Sequence, residues 1–168
     1  FNFFDPHFFS ILFSYKKGLF IYTPLLFLTL FSLIWLVYKK RFYLFATWFT
    51  FFVVLTYVLS SWWSWFYGCG YGLRAYIDYY PIFFIPFAMM LNELNMIPRL
   101  LVISISFLTI PINLIQSYQY KYNILHWIEM DKAKYWQVFL KTDAQYSGLL
   151  WRNDINEKLY TVVYEVNA

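Results

Sequence analysis

Charge is what this sequence lacks most. Only 13% of its 168 residues are Asp, Glu, Lys or Arg, far below the share usual in a soluble domain. Hydrophobic residues make up 61% and aromatics 27%. A soluble chain this short cannot cover so many Phe and Trp side chains, because small domains bury too little of their surface. The composition therefore predicts an integral membrane protein. Cysteine is nearly absent. The single Cys69 excludes an internal disulfide and any metal site built from several cysteines. His7 and His126 stand far apart, and neither falls in a metal-ligand motif. No HExxH, P-loop or GxSxG pattern occurs. The net charge of +4 comes from scattered basic residues with no stripe, so nucleic acid is excluded as a partner. The residues point to no metal and no other cofactor. No signal-peptide pattern is visible after Phe1, and the chain reads as part of something longer.

What is there is organised around Ser61–Pro81, SWWSWFYGCGYGLRAYIDYYP. Long apolar runs flank it on both sides. About 20 helical residues cross a bilayer core of about 30 Å. On that measure four spans are predicted, at about 18–38, 42–60, 79–94 and 100–118. Pro24 falls in the first turns of the first span, where a missing amide costs little. Lys39–Lys40–Arg41 separates the first two spans as a tight hairpin turn. Pro98–Arg99 makes the turn before the fourth span, which Pro111 and Asn113 interrupt. Residues 1–118 thus form a transmembrane domain, with the aromatic-glycine loop at 61–80.

Residues 119–168 carry over half of the charges and read as a water-exposed tail. Ile124, Ile128, Tyr135 and Phe139 share one helical stripe, so 124–140 is predicted to be an amphipathic helix. Residues 143–156 read as loop. Leu159–Val166 has the β-branched and aromatic bias of a strand. The expected fold class is an all-α polytopic membrane protein with a small α/β tail. Four spans put the loop and the tail on one side. Basic residues near the two faces balance, and the dense Lys39–Arg41 cluster tips that turn to the cytoplasm. The loop and tail are then extracytoplasmic.

In the loop, Gly68, Gly70 and Gly72 alternate and precede Arg74. Alternate glycines let backbone amides converge on an anion. A helix starting near Arg74 adds its positive end, and guanidinium offers phosphate a planar fork. The spacing is not GxGxxG and no strand precedes it, so a nucleotide fold is unsupported. The alternative is a structural turn with Arg74 paired to Asp78 four residues on. Trp62, Trp63, Trp65 and Tyr71 can stack on a sugar, or simply form an interfacial aromatic belt. Lys16 and Lys17 can attract a lipid phosphate, or snorkel at a helix end. No residue qualifies as a convincing catalytic base. Asp5 sits before Pro6, where a turn or cap is the simpler role.

FSYKKGLFIYTPLL followed by SWWSWFYGCGYGLRAYIDYYPIFFIP resembles the C-terminal half of bacterial membrane proteins of the GT-C glycosyltransferase superfamily. The nearest members are family-39 and protein-mannosyltransferase-like. The matching parts are Gly18–Pro24 and Trp62–Pro81, within the first two-thirds of the chain. The resemblance implies a bacterial inner-membrane enzyme, multi-pass. It would move a sugar from a polyprenyl-phosphate donor to an extracytoplasmic acceptor. It implies a donor-phosphate site at Arg74, Gly68, Gly70, Gly72, Lys16 and Lys17, with Asp78 orienting Arg74. The family's acidic catalytic loop has no equivalent here, so this chain alone is expected to transfer no sugar. The competing reading is a non-catalytic membrane subunit or scaffold among other subunits.

Overall fold

The structure is a computed structural model that describes residues 1–154. Among these residues it is all-helical, with no strand. A short helix α1 (Phe8–Phe13) leads to a single turn, α2 (Leu19–Tyr22). Four longer helices follow: α3 (Pro24–Tyr38), α4 (Phe42–Ser60), α5 (Tyr80–Glu93) and α6 (Met96–Lys121). A 3₁₀ segment at Arg74–Tyr79 feeds α5. Beyond α6 come α7 (Lys132–Val138), a 3₁₀ turn at Ala144–Tyr146 and helical residues 149–154.

Two helices are long and apolar enough to cross a membrane, α4 and α6, rather than the four expected. Only 6% of the most apolar window of each is buried within the chain. The core helix of a soluble protein would be covered. Apolar surface this extensive and this exposed fits association with a membrane. The other two expected spans are shorter, 15 residues in α3 and 14 in α5. The first span is cut at Thr23, with φ −139° and ψ 69°. The ring of Pro24 pushes the preceding residue out of the helical region. Pro24 therefore divides the expected span and opens α3 as its first residue.

The opposite correction holds for α6. Pro98 and Arg99 lie inside its first turn, not in a turn before it. An amide there has no intrahelical acceptor, so proline costs little. Pro111 and Asn113 do not interrupt it either; the helix runs on to Lys121. By contrast α4 has the predicted bounds, because 42–60 contains no proline, glycine or charge.

The tail differs most from expectation. Helix starts only at Lys132, where the Asp131 side chain accepts the Lys134 amide as an N-cap. Residues 124–131 form a loop, so 124–140 is not one amphipathic helix. Residues 149–154 are helical where a loop was expected. Ile124, Leu125, Tyr135, Val138 and Leu150 pack against Tyr22 in a second core cluster. The described tail is thus docked on α2 and carries no strand. The strand expected at Leu159–Val166 lies outside the described residues.

Two ends are defined by side-chain contacts. At one, Glu93 pairs with Arg41 at 2.6 Å and Lys39 at 3.6 Å. This joins the α3–α4 turn to the end of α5. At the other, the amides of Asn2 and His7 donate to the Ser61 and Ser60 carbonyls. The N-terminal segment, the aromatic-glycine loop and the tail gather there. α3 and α5 pack along their length, and α6 touches them more sparsely.

Candidate functional site

The break at Thr23 frees backbone carbonyls that a continuous helix would use. Buried carbonyls must find other donors. α6 supplies them. Asn113 Nδ2 donates to Tyr22 O at 2.6 Å, and Gln116 Nε2 donates to Ile21 O at 3.3 Å. Gln116 Nε2 also donates to the Tyr135 hydroxyl at 2.7 Å. The Tyr71 hydroxyl has three acceptors in reach: Tyr22 O, Gln116 Oε1 and Asn113 O, at 3.2, 3.2 and 3.3 Å. One turn on, Gln119 Nε2 donates to Val138 O and Lys141 O at 2.6 and 2.8 Å. Asn113, Gln116 and Gln119 are three residues apart and form one polar stripe on an otherwise apolar helix. That stripe ties the broken helix, the loop and the tail together.

Beside this network lies a pocket of about 390 Å³. Arg74, Gly72, Tyr71, Tyr80, Thr23, Thr109 and Asn113 supply its polar lining. The rest is apolar, chiefly Leu25, Phe84, Ile110 and Leu114 from α3, α5 and α6. Thr23 Oγ1 and the Tyr80 hydroxyl hydrogen-bond across it at 3.2 Å. Burial pushes the Tyr71 phenol well above its ordinary range, helped by Tyr135 and Tyr80. Tyr71 is therefore a neutral hydroxyl here.

Arg74 is exposed, and among the described residues it makes no ion pair. Asp78 is exposed as well and does not pair with it. The reason is geometric. Arg74–Tyr79 is 3₁₀, with three residues per turn, so residues four apart no longer share a face. The i,i+4 pairing expected from an α-helix is not built. Tyr76 anchors this segment instead. It is fully buried and donates to Thr56 Oγ1 at 2.8 Å.

The other expected phosphate ligands divide between two places. Gly72 lines the pocket and has φ +57°, and a Cβ there would lie 3.3 Å from Tyr22 Cβ. Behind it, Lys16, Lys17, Gly70 and Gly72 line a narrow adjoining cleft with His126. Gly68 lines neither. Lys17 is 3% exposed and has no carboxylate partner among the described residues. Burial pulls its ammonium down to about 8, Arg74 and Lys16 pull the same way, and Cys69 opposes. Lys16 sits 4.0 Å over the Phe66 ring.

Of the four aromatics expected to stack on a sugar, only Tyr71 lines the pocket. Trp62 packs edge-on against Phe1, Trp63 is 70% exposed, and Trp65 lies against His7 and Phe66. Thr23, Tyr80, Asn113 and Gln116 were not expected at the site. The three-residue spacing of Asn113, Gln116 and Gln119 is the signal that could have found the last two.

A second polar cluster sits in the tail. His126 Nδ1 accepts the amides of Ile128 and Glu129 at 3.2 and 2.8 Å, so its lone pair is occupied. His126 Nε2 lies 3.3 Å from Asp154 Oδ2, and Lys134 Nζ lies 2.6 Å from Asp154 Oδ1. His126, Glu129 and Asp154 lie close enough to share a metal. The two amides on Nδ1 and the ammonium on Asp154 compete with that role. Stacking on Trp151 at 3.9 Å completes a cluster whose evident work is to hold the tail.

No family model, curated protein or solved structure matches this chain.

Proposed function

We propose that this chain is the donor-binding part of an integral membrane glycosyltransferase. The enzyme would use a polyprenyl-phosphate-linked sugar and an extracytoplasmic acceptor. One observation carries the reading: Arg74, with no carboxylate partner among the described residues, opens onto a largely apolar pocket lined by α3, α5 and the membrane-length helix α6. Such a pocket suits a ligand with an anionic head and an apolar chain. Arg74 takes the phosphate as a bidentate fork. Thr23, Tyr80 and Asn113 offer neutral hydrogen bonds, and Leu25, Ile110 and Leu114 receive the first part of the chain. The positive charge at Lys17, behind the glycines, adds to the attraction.

In this role the chain stabilises charge on the departing lipid phosphate. Among the described residues it places no carboxylate on the pocket or the cleft. Asp5 and Asp78 are exposed and line neither the pocket nor the cleft. In this reading a general base for the acceptor hydroxyl comes from another part of the enzyme. In the same reading α3 and α5 complete a multi-pass arrangement in a bacterial inner membrane, with the loop and tail extracytoplasmic. A second reading, a non-catalytic membrane subunit, draws on the same lack of a base.

The test is donor-lipid affinity and unfolding of Arg74→Lys and Asp78→Asn in the native protein. Arg74→Lys keeps the charge and loses the fork, so affinity falls about tenfold, the worth of one charged hydrogen bond. Asp78→Asn leaves affinity within about twofold, since it does not hold Arg74. Unchanged affinity in a stable Arg74→Lys protein overturns the phosphate site and leaves the subunit reading.

A further inference from the structure

At the end away from the loop, α3, α5 and α6 diverge around an apolar groove of about 580 Å³. Leu28, Phe31, Trp35 and Tyr38 of α3 form one wall, and Pro98 and Val102 of α6 face them. No residue of the donor pocket lines it. Its floor is aliphatic and aromatic throughout, so its occupant is a hydrocarbon.

Its length selects the kind of hydrocarbon. From Leu28 to Tyr38 the helix rises about 15 Å at about 1.5 Å per residue. A hydrocarbon core is about 30 Å thick. The groove therefore spans one leaflet, the depth of an acyl chain.

Its mouth selects the head. Lys39 Nζ and Arg41 Cζ lie 5.9 and 5.3 Å from the Trp35 ring on the groove wall. Glu93 pairs with both, but Lys40 and Arg99 make no ion pair among the described residues. Lys40 stands between Lys39 and Arg41, and Arg99 follows Pro98 of the groove wall, so four basic residues and one carboxylate belong to this end. The Trp35 indole N–H is buried and finds no acceptor among the described residues.

We propose that this groove is a binding site for an anionic diacyl phospholipid of the surrounding bilayer. One acyl chain fills the groove, and the phosphate meets Lys39, Lys40, Arg41 and Arg99. The proposal rests on the chain being membrane-embedded, and it does not depend on the donor site.

The experiment is native mass spectrometry of the delipidated native protein. The probes are phosphatidylglycerol and phosphatidylcholine with identical chains. Wild type retains phosphatidylglycerol about tenfold better, the scale of one or two basic residues at an anionic headgroup. Lys40→Gln with Arg99→Gln, both exposed and neither paired with Glu93, brings the two lipids to parity. Val102→Trp fills the groove and removes retention of both, with the unfolding midpoint as control. Equal retention by wild type overturns the proposal. So does undiminished phosphatidylglycerol on a folded Val102→Trp protein. Displacement of phosphatidylglycerol mole for mole by a polyprenyl phosphate also overturns it, because the groove then belongs to the donor.

Discussion

The two ends of this molecule are held together by different physics. The loop end is tied by directional, partly buried hydrogen bonds between segments distant in sequence. Gln116, Gln119, Tyr71 and Asn113 each bridge to another element. The turn end is held by two half-exposed ion pairs on Glu93 and by apolar packing. Buried hydrogen bonds cost dearly when one partner is lost, because the other stays desolvated. Exposed ion pairs are screened by water and salt and contribute little. The loop end is therefore built to hold one geometry, and the turn end leaves a groove open.

Substitutions should reveal that asymmetry, and the largest effect is expected at Gly18. Its amide donates to Ser14 O at 2.6 Å, and an added Cβ would stand 2.5 Å from that oxygen and 2.7 Å from Ser14 N. Backbone cannot retreat as a side-chain tip can. Gly18→Ala should destabilise by about 3 kcal/mol or more, read as a lowered unfolding midpoint in mixed micelles. A wild-type midpoint would mean that the loop end yields more easily than its contacts imply.

Next comes Gln116→Leu. It leaves Ile21 O and the Tyr135 hydroxyl without their donor and takes an acceptor from Tyr71. A loss of about 2–3 kcal/mol is expected. Tyr135 should respond as well. Its phenol is pushed up to about 12 by burial, against the opposing hydrogen bond from Gln116. With that bond gone, spectrophotometric titration should find it higher still. A small stability change with an unmoved phenol would show that the stripe on α6 is dispensable.

Lys17→Met should change stability in the other direction. The unfolded lysine titrates near its ordinary 10.5, and the folded one near 8. Between those values the folded state holds fewer protons, so stability rises as pH rises. Below pH 8 the penalty of the buried charge is fully present. The variant should be more stable than wild type by about 1–3 kcal/mol at pH 7, and that advantage should shrink to nothing near pH 10.5. A pH-independent difference would assign the effect to packing alone.

The smallest effect belongs to the turn end. Arg41→Ala removes the 2.6 Å pair to Glu93, whose side chains are 37% and 31% exposed. The expected loss is at most about 1 kcal/mol, shrinking further in high salt. A loss as large as that of Gln116→Leu would erase the contrast between the ends.

Local rules made part of this legible in advance. An uninterrupted apolar run has only one way to satisfy its backbone in lipid, so α4 could be read directly. Glycines at 68, 70 and 72 before an arginine drew attention to a loop in which Gly72 and Arg74 line a pocket. Prolines misled in both directions. Pro24 broke a span and Pro111 did not, since each outcome depends on whether neighbours supply the lost hydrogen bonds. Asn113 and Gln116 supply them at the first site. The tail helix was misplaced because its apolar spacing ignored the cap at Asp131, a local signal that was there to read.

Composition and run length by themselves determined that the long apolar runs are helical and present apolar surface to their surroundings. Burial of Phe, Leu and Ile is additive and insensitive to partner, so counting residues suffices for it. Only the tertiary structure decided which carbonyls Gln116 and Asn113 would meet, why Arg74 and Asp78 stay apart, and where α6 would part from α3. Those outcomes turn on distances of a few tenths of an ångström between segments about 90 residues apart. Hydrogen bonds weaken steeply with misalignment, and a linear pattern carries no record of that geometry.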